Sequence, residues 1–349
     1  MKKYHLGSFS GRGGISHYSS RFFEHVLRVR GYERLDTESS NGCDFDFIKC
    51  DDTVHVEIGV NERASISALY ALIDRGCHRI SVTLHDPPFI AWPYFNFRSR
   101  PINLVSKVVH LYLNSFGLEN SYFERINRIF VLTQLGAKST IERHGLSNVY
   151  QLPFLVDIES LRLPVLPPPP NLLFFGFISK NKGLDYALAV HERLLTLNPQ
   201  CRILVAGEAV DAPSNRYLRN LKSRYIHNVE YLGFVGDNEL AEVFSQTSIA
   251  LMPFLDYRTI VPASASILTA MSAGKVVCAT AVNAIPELIR DGYNGLLLTG
   301  NIERDAERIH SVISNERVVI DIVGNAAHLL RSNNEPSVVG RVFDAAIPM

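Results

Sequence analysis

A histidine and an aspartate, His85 and Asp86, stand directly after the apolar run Arg79-Ile-Ser-Val-Thr-Leu. The run predicts a buried strand, and the two prolines after Asp86 prevent an immediate helix. The imidazole is therefore expected at the carboxyl end of a strand, the edge where open α/β sheets bind ligands. Since histidine titrates near neutral pH, the two side chains are candidate catalytic residues. The alternative is a loop pair that only caps neighbouring backbone amides.

Two predicted helices follow strands between residues 248 and 298. The first, Ala263-Ser-Ala-Ser-Ile-Leu-Thr-Ala-Met-Ser-Ala, begins with Ser264 and Ser266 and is closed by Gly274, which tolerates a left-handed C-cap. The second starts at Ile285-Pro-Glu, where Glu287 suits the positive end of the helix dipole. Because both amino ends face one sheet edge, they are predicted to bind an anion. An ordinary βαβα unit without a ligand is the alternative.

A glycine-rich loop, Ser10-Gly-Arg-Gly-Gly, separates a predicted first strand from a helix over residues 15–29. Backbone amides in such a loop can approach a phosphate closely, so Gly13 and Gly14 are candidate ligand-binding positions. The pattern Gly11-x-Gly13-x-x-Ser16 lacks the third glycine of the dinucleotide fingerprint, and Asp36 lies beyond the usual place of the ribose-binding acid. A dinucleotide, a sugar nucleotide and a plain tight turn all fit the loop alone.

An Asp-x-Asp pattern, Asp44 and Asp46, occurs in Cys43-Asp-Phe-Asp-Phe-Ile-Lys and is of a kind that binds divalent cations. The alternation of polar and apolar residues predicts a half-exposed strand whose aspartates face water. Hard cations also need more oxygen ligands than this segment offers. We therefore expect no metal site.

The 349 residues suit two domains, and a hydrophobic content of 46% can fill two cores. The proline run Val165-Leu-Pro-Pro-Pro-Pro-Asn marks the boundary, because such runs are stiff and extended. Strand and helix patterns alternate on both sides, which predicts α/β domains with parallel sheets. We expect an N-terminal domain over residues 1–156, a linker over 157–170, a C-terminal domain over 171–330 and a tail helix over 331–349.

Charge and cysteine content bear on compartment and partners. The formal net charge is zero, so no nucleic-acid partner is expected, and five cysteines without a CxxC pair favour a reduced, cytoplasmic protein. No apolar run reaches about 18 residues, so no transmembrane helix is expected. Residues 89–113 place aromatic residues beside Arg98, Arg100 and Lys107. This suits peripheral membrane contact or a lipid-linked acceptor, but also a packed helix or the lip of an active site.

The second half carries a long, ordered set of motifs. It contains Thr269-Ala-Met-Ser-Ala-Gly-Lys-Val-Val-Cys-Ala-Thr, then Asn283-Ala-Ile-Pro-Glu-Leu-Ile and Asp291-Gly-Tyr-Asn-Gly. This stretch resembles the donor-binding segment of GT-B glycosyltransferases of the family-4 type. Upstream, Phe175-Gly-Phe-Ile-Ser-Lys-Asn-Lys-Gly-Leu-Asp is similar to the family's Gly-Arg-Leu-x-x-x-Lys-Gly-x-Asp, whose arginine and lysine bind the donor's diphosphate. The resemblance covers the second half clearly and the first half loosely.

The resemblance implies two Rossmann-like, doubly wound domains that face each other across a cleft, with the tail helix returning to the first domain. It implies transfer of a sugar from a nucleotide-diphosphate sugar to a carbohydrate or lipid-linked saccharide, with retention and without a metal or other cofactor. Such an enzyme would work in polysaccharide or glycoconjugate assembly, at the inner face of the membrane if it is peripheral. The implied catalytic residues are His85, whose position commonly faces the transferred sugar, and Asp86. The implied donor-binding residues are Gly13, Gly14, Lys182, Ser264, Ser266, Thr269 and Glu287.

Three positions depart from the family pattern. Phe177 replaces the diphosphate-binding arginine, and Val261 and Thr269 replace two glutamates that the family commonly carries eight positions apart. Thr269 can still hydrogen bond to a ribose hydroxyl, whereas Val261 cannot hold the sugar. These losses favour the alternative of a non-catalytic GT-B partner subunit or sugar-nucleotide-binding module. A nicotinamide-dependent oxidoreductase lacks its full glycine fingerprint, and a nucleotide-sugar epimerase has no motif in its favour.

Overall fold

The computed structural model describes residues 1–11, 13–37, 45–59, 62–88, 118–157, 161–164, 169–257 and 260–346, together with 102, 105, 108, 109 and 166. The chain divides into two compact units. Unit 1 contains Met1–Leu155, Thr259–Ala263 and Pro336–Met349, and unit 2 contains Val156–Arg258 and Ser264–Glu335. Every helix among the described residues is too short or too polar to cross a bilayer.

Unit 1 is built on a six-stranded parallel sheet in the order β2-β1-β3-β4-β5-β6. Its strands are β1 (Lys3–Gly7), β2 (Tyr32–Asp36), β3 (Thr53–Ile58), β4 (Ile80–Leu84), β5 (Arg128–Val131) and β6 (Val149–Gln151). Its helices include α1 (Gly14–Phe22), α2 (Arg63–Asp74), α3 (Leu118–Phe123) and α4 (Gln134–His144). Helix α1 continues through a π-helical turn (Phe23–Leu27) and a 3-10 turn (Arg28–Arg30) to Gly31, whose φ of 79° ends it.

The two faces of the unit 1 sheet are both buried but differ in chemistry. Toward α2 the strands present aliphatic side chains such as Leu6, Val56 and Ile58. Because side chains alternate along a strand, the residues between these face the other way, toward α1. That second face is covered by an aromatic cluster that includes Phe22 and Phe343.

Unit 2 has a second six-stranded parallel sheet in the order β12-β11-β10-β7-β8-β9. Its strands are β7 (Leu172–Phe175), β8 (Ile203–Ala206), β9 (Val229–Gly233), β10 (Ile249–Met252), β11 (Val276–Thr280) and β12 (Leu296–Leu298). Its helices are α5 (Leu184–Leu194), α6 (Ala212–Arg224), α7 (Asp237–Ser245), α8 (Ala265–Ser272), α9 (Ile285–Leu288), α10 (Ile302–Ile313) and α11 (Glu316–Asn334). Counted from β7, the spatial order is 3-2-1-4-5-6, in which ligands bind where the order reverses, at the carboxyl ends of β7 and β10.

The C-terminal helix α12 (Pro336–Ala346) belongs to unit 1. Arg30 donates from Nε and Nη2 to the two carboxylate oxygens of Asp344, at 2.6 and 2.7 Å. Phe343 packs with its ring centroid 5.5 Å from that of Phe22 and 5.1 Å from that of Phe130. A paired guanidinium and an aromatic core contact therefore hold α12 against unit 1.

The predicted α/β class and the two doubly wound parallel sheets are confirmed. The predicted strand around Asp46 is wrong, because residues 45–50 form turns that bury Phe45 and Ile48 and leave Asp46 exposed. Asp44 lies outside the described residues. The second predicted helix of the anion site, α9, is only one turn long, so it contributes little of the expected dipole.

Candidate functional site

The loop after β7 lies directly against the loop after β10 in unit 2. A β-carbon added at Gly183 would be 1.9 Å from the carbonyl oxygen of Pro253, so only glycine fits there. The amide of Leu255 donates to the carbonyl of Asn181 at 2.8 Å. The two loops that flank the reversal of strand order are therefore joined by backbone contacts.

Lys182 is the last residue of the 3-10 turn Lys180–Lys182 in the first of these loops. Its Nζ stands 4.3 Å from the centroid of the Phe254 ring, in the second loop. A cation over an aromatic face gains roughly 0.5–2 kcal/mol, which favours one position for the half-buried ammonium group. The geometry thus places a positive charge at the edge of the sheet where a phosphate ligand is expected.

Helix α8 begins shortly after β10, with Ser264 as its N-cap. The Ser264 side chain accepts no hydrogen bond from the first-turn amides among the described residues, and its Oγ lies 3.4 Å from that of Ser266. Thr269, one turn further on, is half-buried. The amino end of α8 therefore presents two hydroxyl groups and backbone amides at the same sheet edge as Lys182.

The loop after β11 is tied to the loop after β10. Asn283, with φ of 50°, donates to Asp256 Oδ1 at 2.9 Å and accepts from the amide of Tyr257 at 3.2 Å. Thr280 Oγ1 donates to the carbonyl of Phe254. Glu287 is exposed in the single turn of α9 that follows. Residues after β7, β10 and β11 thus line one edge of unit 2.

In unit 1, His85 directly follows β4, and its side chain is buried, with 7% of its surface exposed. Its Nε2 lies 2.8 Å from Oε2 of Glu57. The Tyr18 ring packs edge-on against the imidazole with the centroids 5.0 Å apart, and the His85 amide donates to Ile58 at 2.9 Å. Both the ring and the backbone of His85 are therefore fixed.

Glu57 is the centre of a buried histidine network. Its Oε1 lies 3.1 Å from Nε2 of His5 and 3.4 Å from Nε2 of His55, and all three residues are fully buried. The His55 nitrogens also lie 2.9 Å from the hydroxyls of Ser81 and Thr83. Burial opposes ionisation, yet hydrogen bonds from His5, His55 and His85 hold the pKa of the Glu57 carboxyl well below its usual range. Burial lowers the pKa of His5.

Gly59 brings the first turn of α1 and two loops of unit 1 together. A β-carbon there would lie 2.1 Å from Cδ1 of Ile15 and 3.4 Å from Oδ2 of Asp86, so the first turn of α1 and the loops after β3 and β4 meet at this point. Asp86 is half-buried beside them. Gly13 is the N-cap of α1 and Gly14 its first residue, and added β-carbons would meet nothing within 4 Å at either position. Among the described residues, therefore, nothing crowds Gly13 and Gly14 on the side where a β-carbon would point.

Comparisons with known proteins show which family and which solved structures this chain is similar to. The family model described as "Glycosyl transferases group 1" matches residues 169–315. Sucrose-phosphate synthase from Thermosynechococcus elongatus superposes with a TM-score of 0.72 over 99% of this chain and 98% of that one, at 13% identity. Anabaena Alr3699/HepE in complex with UDP gives a TM-score of 0.68 over 99% of both chains, at 16% identity. The chain has the GT-B fold, and residues 169–315 of its second unit are similar to the group 1 glycosyl transferases.

Curated relatives match over part of their length. The gpi3 subunit of phosphatidylinositol N-acetylglucosaminyltransferase from Schizosaccharomyces pombe is 30% identical over 173 residues, 47% of this chain and 36% of that protein. D-inositol 3-phosphate glycosyltransferase from Stackebrandtia nassauensis is 27% identical over 193 residues, 51% of this chain and 43% of that protein. The chain thus matches less than half the length of these two relatives.

Two motif residues of the group 1 segment have structural roles. Asn294 is buried, accepts from the amide of Arg290 at 2.7 Å and donates to the carbonyl of Leu288 at 2.8 Å. Asp291 accepts from the amide of Leu297 at 2.8 Å and from Arg308 at 2.7 Å. These contacts hold the turn between α9 and β12, so we assign neither side chain to ligand binding.

The substituted positions of this GT-B chain keep no equivalent charge. Phe177, where the family has arginine, is 38% exposed in the loop after β7. Val261 belongs to unit 1, where its amide donates to the carbonyl of Pro87 at 2.7 Å. Among the implied diphosphate-binding cations, Lys182 is therefore the one that this chain retains.

The sequence interpretation missed Glu57, His5 and His55. The available signal was the alternation in Val54-His-Val-Glu-Ile, because strands of a parallel sheet are usually apolar on both faces. Ligand atoms of these three residues lie within 4.8 Å of one another, a spacing that could hold a metal ion. Their mutual hydrogen bonds account for the spacing without one, and we propose no metal there.

The expected membrane-contact segment, residues 89–113, lies mostly outside the described residues. Its four described residues are helical and exposed, namely Ile102, Val105, Val108 and Val109. Arg98, Arg100 and Lys107 are not described. Peripheral membrane contact stays a prediction.

Proposed function

We propose that the chain is a glycosyltransferase that moves a sugar from a nucleotide-diphosphate sugar to a hydroxyl acceptor. The observation that carries the proposal is the position of Lys182 at the reversal of strand order in a unit that is similar to the group 1 glycosyl transferases. Its ammonium group is oriented by Phe254, and the amino end of α8 adds amides and the hydroxyls of Ser264 and Ser266.

The chemistry fits these groups. In the transfer, the bond between the anomeric carbon and the diphosphate oxygen breaks, and the diphosphate keeps the electron pair. A bond from the acceptor oxygen to the anomeric carbon forms, and the proton of the acceptor hydroxyl passes to the departing diphosphate or to solvent. Negative charge therefore grows on the diphosphate, where fixed positive charge and hydrogen-bond donors stabilise the transition state most effectively. Lys182 and the first turn of α8 would supply both.

In unit 1, His85 is the proposed catalytic residue and Asp86 its neighbour in the same loop. The imidazole is held by Glu57 and Tyr18, so it can hydrogen bond to a sugar or acceptor oxygen without reorienting. A preorganised group of this kind typically contributes about 10²-fold or more to the rate.

The details of the reaction are also proposals. We propose a hexosyl donor, retention of configuration, independence of metal, and an acceptor in polysaccharide or glycoconjugate assembly. Gly13, Gly14, Thr269 and Glu287 are further proposed donor contacts. The HepE neighbour has been solved with UDP and with UDP-glucose, so these are the first probes to use.

The second candidate function is a GT-B module that binds a sugar nucleotide without transferring the sugar. Val261, Thr269 and Phe177 favour it, because three charged groups of the family pattern are absent from this chain. Such a module would bind nucleotide but release no sugar.

The decisive experiment is an assay of sugar release and transfer from UDP-glucose, UDP-N-acetylglucosamine and GDP-mannose, with and without EDTA. Lys182→Ala and the matched Lys180→Ala, an exposed lysine of the same turn, are compared. We expect turnover of at least one donor, unaffected by EDTA, lost in Lys182→Ala and kept in Lys180→Ala. Binding without turnover would support the second candidate, and neither binding nor turnover would contradict both.

A further inference from the structure

We propose that Glu57 is a positioning residue for His85: it fixes the hydrogen of the imidazole on Nε2 and leaves Nδ1 for the oxygen of a bound sugar or acceptor. This inference rests on the proposed function, since it assigns the atom of His85 that meets the substrate. It adds to unit 1 a residue that no motif of the chain identifies.

The geometry around His85 allows one orientation. Nε2 lies 2.8 Å from Glu57 Oε2, the shortest of the three contacts between Glu57 and imidazole nitrogens. The other ring nitrogen, Nδ1, has no hydrogen-bond partner among the described residues. The edge-on contact with Tyr18 and the backbone bond to Ile58 keep the ring from turning.

The carboxylate determines the tautomer. An ionised carboxylate can only accept hydrogen bonds, so the imidazole that contacts it must donate from Nε2. The contacts of Glu57 in the described part of the chain are to histidines, and none is to a lysine or arginine. The charge of Glu57 is therefore stabilised by hydrogen bonds from imidazole N–H groups, and His85 is its nearest donor and retains the most exposure of the three histidines.

Stability alone does not explain the network. A buried carboxylate with neutral partners is costly, and apolar residues of similar size would often serve as well or better. Close to the network, three buried polar atoms have no hydrogen-bond partner in the described part of the chain, namely His5 Nδ1, Tyr18 Oη and Ser19 Oγ. Each such atom costs about 1–3 kcal/mol when it lacks a partner. Buried polar groups without partners destabilise the fold, and proteins typically keep such groups at functional sites.

The charge of Glu57 is what distinguishes it from a neutral partner of His85. The His85 ring contacts Glu57 from β3 and Tyr18 from α1, and His5 and His55 share the Glu57 carboxylate. A carboxylate at hydrogen-bond distance determines which ring nitrogen carries the hydrogen. Replacement of Glu57 by glutamine keeps the shape of the side chain but removes that charge and lets the amide donate as well as accept.

The test is ¹⁵N NMR of the histidine side chains in the full chain, with the His85 signals assigned by their loss in His85→Gln. In the wild type we expect the Nε2–H tautomer of neutral His85. In Glu57→Gln we expect a measurable fraction of the Nδ1–H tautomer, because the glutamine amide can donate as well as accept. The control Glu33→Gln, an exposed glutamate on β2 of the same sheet, should leave the tautomer of His85 unchanged. An Nδ1–H tautomer in the wild type, or an unchanged tautomer in Glu57→Gln, would overturn the proposal.

Kinetics give an independent readout. Glu57→Gln should lower kcat by about 10–10²-fold and change KM for the donor by less than about threefold, because the lost interaction acts on the transition state. An unaltered kcat in a folded Glu57→Gln would also overturn the proposal. If Glu57→Gln does not fold, the tautomer of His85 in the wild type still tests the proposal. If no donor is turned over, the proposed function is contradicted, whereas the NMR measurement still tests the role of Glu57.

Discussion

Gly183 faces the carbonyl oxygen of Pro253 so closely that a β-carbon at position 183 would lie 1.9 Å from that oxygen. The φ of Gly183 is 70°, in the left-handed region that favours glycine. This contact joins the loops after β7 and β10, and Lys182 is the residue immediately before it. The position of the proposed diphosphate-binding charge thus depends on the absence of a side chain next to it.

Gly183→Ala should therefore destabilise unit 2 and weaken nucleotide binding together. The left-handed conformation costs a residue with a β-carbon roughly 1–2 kcal/mol, and the steric overlap adds about 1–3 kcal/mol. Gly292→Ala is the matched control, since its φ is 73° and nothing lies within 4 Å of its added β-carbon. Chemical denaturation should show the larger loss for Gly183→Ala. Equal losses would mean that the contact with Pro253 can relax freely.

His85→Ala should lower turnover by roughly 10²-fold and leave nucleotide affinity nearly unchanged. Because His85 is buried and bonded to Glu57, we also expect a stability loss of about 1–3 kcal/mol. His78→Ala, an exposed histidine of the same unit, is the control and should behave as wild type. Turnover is measured well below the unfolding temperature of the variant. Full activity in a folded His85→Ala would remove this residue from the mechanism.

Lys275 should make the stability of unit 2 depend on pH in the alkaline range. Its Nζ is buried and donates to the carbonyl of Thr247 at 2.8 Å, and burial lowers its pKa to about 8 from 10.5. Between these values the unfolded chain binds more protons than the folded one, so stability rises with pH, by up to about 1.4 kcal/mol per unit. Below pH 8 both states are protonated and the slope disappears.

Denaturant unfolding of Lys275→Met between pH 7 and pH 10.5 tests this dependence. The variant should lack the part of the slope that Lys275 contributes, whereas Lys180→Met, at an exposed lysine, should keep it. Identical slopes in the wild type and Lys275→Met would show that the buried ammonium keeps its ordinary pKa.

Much of unit 2 can be predicted from its sequence because its local signals agree with one another. The continuous apolar runs become β10 and β11, and Gly274 ends α8 with a φ of 72°, as a C-cap glycine should. The order of the motifs also indicates that the loop with Lys182 is a candidate binding loop. The motifs do not show that Asp291 and Asn294 stabilise the turn between α9 and β12. That role follows only from their hydrogen bonds.

The network of unit 1 could not be predicted in the same way. The strand at residues 53–58 is predictable, but its alternating His55 and Glu57 are equally typical of a solvated strand face. Burial comes from tertiary packing, since Phe22 of α1 and Phe343 of α12 cover this face from distant parts of the sequence. Tyr18 of α1 packs on the imidazole of His85 in the same way, and that side chain is buried too.

The central claim is that this chain binds the diphosphate of a nucleotide sugar through Lys182. Isothermal titration calorimetry with UDP, GDP and ADP, on the wild type, Lys182→Ala and the control Lys180→Ala, tests it most directly. A charge-assisted hydrogen bond contributes about 1.5–3 kcal/mol, so Lys182→Ala should weaken binding of at least one diphosphate by roughly 10–150-fold. Lys180→Ala should bind as the wild type does. Unchanged affinity of Lys182→Ala for every diphosphate that the wild type binds would contradict the account.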